Sequence, residues 1–164
     1  MGSLYPVEVD GSPTRGIKLG YFKTPLIDGT VGYFQRRIDD CVQASIASLL
    51  QMPPYLVPDL QIQEQIAAGK DPEEIDRTID EKFAQWKAEY GLRIFSHATP
   101  PRWAKRWIGI ITTGEPYSDH TLLMAGSDCL FDPAHFLPPD DDHPTALDNH
   151  TVADIDYGMT IEKR

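Results

Sequence analysis

The chain has 164 residues, 41% of them hydrophobic and 10% aromatic, which suits one folded domain with a real core and excludes a disordered protein. Its 15 basic side chains stand against 25 acidic ones, a net charge of −10, so nucleic acid and anionic membranes are disfavoured as partners. The 2 cysteines form no disulfide framework, and no apolar run approaches the ~20 residues of a membrane span.

Residues 1–34 are rich in glycine and proline, with short alternating pieces such as Ile17–Tyr21. They read as a turn-rich arm with one or two edge strands, belonging to a single domain over 1–164. The start Met1–Pro6 lacks the basic stretch and apolar core of a signal peptide, so a soluble, reducing, cytoplasmic setting is expected. A first helix is predicted from about Asp40 to Gln51. Val42, Ile46, Leu49 and Leu50 recur at helical spacing, Asp39 or Asp40 can cap the start, and Pro53-Pro54 ends it. A second, short helix is predicted over Asp59–Ala68, closed by Gly69.

The clearest helix follows. Asp71 is its N-cap, Pro72 suits the first turn, and Glu73 and Glu74 sit at the positive end of the dipole. Its apolar stripe is Ile75, Ile79, Phe83, Trp86 and Tyr90, and Gly91 closes it. Beyond Gly91 the pattern changes to short apolar runs. Leu92–Phe95, Trp107–Thr112, Thr121–Ala125 and Cys129–Phe131 are predicted strands, and a last one lies within Ile155–Ile161. Gly126–Asp128 is a hairpin turn signal. Helices first and strands afterwards, joined by hairpins, predict an α+β fold with an antiparallel sheet.

Four residues carry the chemistry. Cys41 stands at the first turn of the first helix, where unpaired N–H groups and the dipole favour a thiolate. Asp39 and Asp40 oppose that charge, and Arg36 and Arg37 can compensate. Gln35, six positions upstream, can fold back as an amide donor to an oxyanion beside the backbone N–H of Cys41. His120 opens an apolar strand beyond the Gly114–Ser118 turn and can take the thiol proton. Asp132 ends the return strand, level with His120, where it can orient the imidazole. The ordinary alternatives are a core cysteine, a polar loop glutamine, a structural histidine and a turn aspartate. The common register of His120 and Asp132 favours function.

Gln35, Asp40-Cys41, His120 and Asp132-Pro133-Ala134 resemble the motifs of papain-like cysteine peptidases. The resemblance is closest to the bacteriocin-leader-processing branch and its small bacterial and phage relatives. It covers roughly Gln35–Leu50 and Ser118–Phe136. It implies an α+β papain-like fold, with N-terminal helices carrying Cys41 packed on an antiparallel sheet carrying His120 and Asp132. It also implies Cys41 as nucleophile, His120 as base, Asp132 as orienter and Gln35 in the oxyanion hole. One position departs: Val42 stands where the leader-processing enzymes usually have glycine, and leader processing does not carry over.

The expectation is a hydrolase acting on an amide or peptide bond of a peptide or protein substrate, with no metal and no organic cofactor. Two other outcomes use the same scaffold. One is a catalytically silent binding or inhibitory module, the other an acyltransferase that resolves the thioester with an amine. A metal site at Asp140-Asp141-Asp142-His143, with His135 and His150 near, lacks the spacing of calcium or zinc motifs and reads as a solvated acidic loop.

Overall fold

Short runs of extended chain and one buried helix build the first half of the molecule. The computed structural model describes residues 5–7, 21–35, 40–112, 119–136 and 155–164. Strands β1 (Tyr5–Val7), β2 (Tyr21–Pro25) and β3 (Val31–Tyr33) form an antiparallel sheet in that order. The carboxylate of Asp28 closes the β2–β3 turn by accepting the Thr30 N–H at 3.1 Å. The N-terminal arm thus builds a sheet of its own, more than the one or two edge strands expected; residues 17–20 lie outside the described residues.

Helix α1 (Cys41–Leu50) matches its expected span. Asp40 occupies the N-cap, but its carboxylate makes no capping bond to the helix. The exit is made before Pro53: Gln51 turns left-handed at φ 57° and donates its N–H to the Ala47 carbonyl. Helix α2 (Ile62–Ala67) is shorter than expected. The Asp59 carboxylate takes the Gln61 N–H at 3.2 Å, and Gln61 is left-handed at φ 50°. A local side-chain bond there outcompetes the helix.

Helix α3 (Pro72–Tyr90) begins and ends where its caps require. Asp71 accepts the Glu74 N–H at 2.9 Å, and Gly91 is left-handed at φ 65°. Ile75 and Trp86 are buried. The Trp86 indole donates to the Leu56 carbonyl at 2.8 Å, tying α3 to the 3-10 turn Pro54–Leu56.

The second half is a mixed-order antiparallel sheet. Its strands are β4 (Leu92–His97), β5 (Trp107–Ile111), β6 (His120–Ala125), β7 (Asp128–Phe131) and β8 (Tyr157–Lys163), in the order β4-β8-β5-β6-β7. The α+β class expected from the sequence is therefore observed, with a five-stranded antiparallel sheet among the described residues. One face carries Ile108 and Ile110 against Ile46, Ala47 and Trp86 of the helices. The other carries Trp107, Leu122 and Met124 with Ala104 and Ile155.

At the middle of the sheet Gly158 of β8 lies opposite Gly109 of β5. A methyl group on Gly158 would run into Pro101 and the Trp107 ring, which are stiff. On Gly109 it would meet the movable end of Ile155 at 2.6 Å. Gly158→Ala should therefore cost about 1–3 kcal/mol through overpacking, and Gly109→Ala less. Urea unfolding checks this as a lowered midpoint with an unchanged slope.

Candidate active site

The site begins at α1, which is buried almost all round: Cys41, Gln43, Ala44, Ser45, Ile46, Ala47 and Ser48 are all inaccessible. A helix so placed must pair its polar side chains with protein groups. Gln43 Nε2 donates to the carbonyls of Pro54 at 2.9 Å and Val57 at 3.3 Å. Ser48 Oγ donates to the Ala44 carbonyl and accepts the Tyr33 N–H, both at 2.8 Å. Arg106 donates to the Ser48 and Leu49 carbonyls at 3.1 and 3.5 Å, a cation at the negative end of the helix.

Cys41 is the first residue of α1, as expected, but it is only 4% exposed. The segment leading into β6 lies against it. Cys41 Sγ lies 3.4 Å from the Asp119 carbonyl oxygen, to which the thiol donates. The next residue is His120, the first of β6. Alternation places His120 on the face of Leu122 and Met124, whereas Thr121 and Leu123 point towards α1. The sulfur and the imidazole therefore meet around the end of the strand.

Asp132 grips the other side of that ring. Its two oxygens lie 2.9 and 3.0 Å from His120 Nε2, and His120 and Asp132 are both 6% exposed. The hairpin expected between them is present, with one irregularity. Leu123 pairs with Phe131 and Met124 with Cys129, so Leu130 is an additional residue, a β-bulge. Continued past Phe131, this register sets Asp132 opposite Leu122, on the face of His120. Without the extra residue Asp132 would oppose Thr121 and point the other way. The Ala134 N–H then donates to Asp132 Oδ1 at 2.8 Å, fixing the carboxylate through the 3-10 turn Pro133–Phe136.

Gln35 reaches the site along β3, which runs antiparallel to α1. The Gln51 side chain bonds both backbone groups of Val31, at 2.9 and 2.8 Å, and Ser48 bonds Tyr33 at 2.8 Å. Two extended residues advance ~6.6 Å, or about four residues of helix. Gln35 therefore comes level with Ala44, one turn from Cys41. Its N–H donates to the Pro133 carbonyl at 3.0 Å, beside Asp132, and the residue is 2% exposed. Gly32 allows this approach, since a methyl group there would lie 2.9 Å from the Phe131 ring.

The electrostatics follow from these contacts. Burial alone would push the His120 pKa down. The Asp132 hydrogen bond, then that of Cys41, and the charges of both outweigh it and raise the pKa from 6.5 to about 9. Both Asp132 oxygens hold Nε2. Cys129 is different. Crowding around its thiol and the charge of Asp132 push it up to about 11, so it stays protonated at neutral pH.

The structure brings Cys41, His120, Asp132 and Gln35 to one end of β6. The Gly114–Ser118 turn, Arg36, Arg37, Asp39, and the loop with Asp140–Asp142, His143 and His150 lie outside the described residues. Among the described residues no group of three or more His, Cys, Asp or Glu side chains could hold a metal ion, and no helix is long and apolar enough to cross a membrane. Sequence reasoning missed Ser45, Ser48 and Gln51. Their signal was polar side chains recurring on an otherwise apolar helix. The Leu130 bulge has no such signal. Comparison with protein families, curated proteins and solved structures finds no match to this chain.

The folded chain holds the His120 proton more tightly than the unfolded chain, whose histidine titrates near 6.5. The resulting stabilisation is fully present below about 6.5 and is lost as the pH rises through about 9. Urea midpoints should fall across that window in the wild type. In Asp132→Asn, which removes the charge holding the imidazolium, the fall should flatten.

Proposed function

We propose that the protein is a papain-like thiol hydrolase that cleaves an amide or peptide bond of a peptide or protein substrate in the cytoplasm, through a thioester on Cys41. The observation that carries this reading is the order Cys41, His120, Asp132 at one strand end, with the imidazole gripped by both Asp132 oxygens at 2.9 and 3.0 Å. The raised pKa of His120, about 9, favours an imidazolium at neutral pH, the partner that a thiolate needs.

The steps use these groups alone. The Cys41–His120 pair reacts with its proton on the imidazole, and the sulfur attacks the carbonyl carbon. The carbonyl electrons move to oxygen, where the Cys41 N–H and the Gln35 side-chain amide stabilise the charge. Collapse breaks the C–N bond, and the imidazolium gives its proton to the leaving amine. Water, deprotonated by His120, then releases the acid and restores the pair. Asp132 keeps the ring in one tautomer and orientation throughout.

One observation favours a second reading, a catalytically silent binding module: Cys41 is 4% exposed. Iodoacetamide separates the two. In an enzyme Cys41 alkylates far faster than Cys129, and His120→Ala abolishes the difference. In a silent module neither holds. Added amine captures the acyl group if the enzyme is a transferase.

Turnover of a cleavable peptide should vanish in Cys41→Ala with the fold retained by circular dichroism; equal activity would exclude covalent catalysis. Gln35→Ala should lower kcat by roughly 10²–10³-fold with a smaller effect on KM, because its donor acts on the tetrahedral state. An effect on KM alone would make Gln35 a substrate contact.

A further inference from the structure

Outside the residues that touch the reacting atoms, one polar contact joins the nucleophile's helix to the base's strand. Ser45 Oγ and Thr121 Oγ1 are 2.6 Å apart, and the two residues are 0% and 1% exposed. Ser45 follows Cys41 by four positions, so the two stack on one helix face. Thr121 is the residue after His120. The bond therefore crosses from helix to strand one turn from the nucleophile and one residue from the base.

Apolar contacts between α1 and the sheet, such as those of Ile46 and Ala47 with Ile108 and Ile110, are non-directional and tolerate sliding. A hydrogen bond between two short side chains is not so tolerant, because its strength falls steeply with distance and angle. Thr121 adds stiffness, since a β-branched side chain has few χ1 choices. One residue of slip along a helix axis is ~1.5 Å, enough to spoil a reaction geometry in which ~1 Å can cost about 100-fold.

We infer that Ser45 and Thr121 are positioning residues, whose buried hydrogen bond sets the slide of α1 along β6 and thereby the separation of Cys41 and His120. This rests on the thiol-hydrolase reading. The pair also explains a polar contact in a place where two apolar residues would pack equally well, since burying both hydroxyls against each other adds direction to the contact at little net gain in stability.

The test is the titration midpoint of His120, followed by NMR of its ring proton in the full chain. Cys41→Ala removes the sulfur and should lower the midpoint from about 9 towards 6.5. If it does not, the Cys41–His120 pair is absent and the thiol-hydrolase reading itself fails. Given that shift, Ser45→Ala/Thr121→Val should lower the midpoint by at least half as much. This double variant removes both hydroxyls together, so none is left stranded in the core and the fold is retained. Thr121→Ser keeps the hydroxyl and should keep the wild-type midpoint, although it takes from the core a methyl group that the double variant retains. A double variant with the wild-type midpoint overturns the inference while leaving the hydrolase reading intact. So does a Thr121→Ser variant that shifts as far as the double variant, because packing alone would then be responsible.

Discussion

Burial of α1 on nearly every side is the constraint from which the site follows. An amphipathic helix on a protein surface can send its polar side chains to water. This one has sheet β6 on one flank, β3 on another and the Pro54–Leu56 turn beyond, so each polar group must find a partner within the protein. Together those bonds fix α1 against three elements. Gln43 anchors the turn, Ser48 and Gln51 hold β3, and Ser45 holds β6. The Ser45–Thr121 bond is the one of these that reaches β6, whereas the others set α1 against β3 and the turn. The sulfur at its first turn is correspondingly fixed in space.

The same chain carries two thiols in opposite electrical settings. Cys41 lies at a helix start beside an imidazole whose proton affinity is raised. Cys129 stands on the bulged strand, where crowding and the Asp132 carboxylate disfavour its anion. Asp132 thus acts in both directions: it supports positive charge on His120 and opposes negative charge on Cys129.

Much of this was legible from the sequence, for reasons that can be named. Helix α3 carries Asp71, Pro72 and Gly91 at its ends and a regular stripe between them, and local caps decide such boundaries. The His120–Asp132 hairpin was legible because Gly126 marks its turn and apolar residues fill its strands. The failures have physical causes too. Helix α2 lost its first turn to the Asp59 carboxylate, a competition between two local bonds of similar strength. The N-terminal sheet was underestimated because its strands are three to five residues long and pair across gaps of sequence. Burial of Cys41 could not be read from the chain at all, since its sulfur meets a carbonyl 78 residues away, at Asp119. The bulge at Leu130 likewise answers to the pairing of two strands, and no single residue type announces it.

Strand β8 is the last in chain order among the described elements, yet it sits inside the sheet, between β4 and β5. During synthesis both of its neighbours leave the ribosome first. Strands β5, β6 and β7 can pair as successive hairpins, but β4 has no partner in this sheet until residues 157–163 arrive. Until then the sheet has an open slot lined by the backbone groups of two strands, with Trp107 bare on one side of it. Such a slot accepts any extended segment of suitable shape, from this chain or another. The glycine pair at its centre, Gly109 and Gly158, narrows the choice, because the place beneath Pro101 and Trp107 admits no side chain. A vulnerability of the nascent chain and the filter that limits it therefore lie in the same two residues.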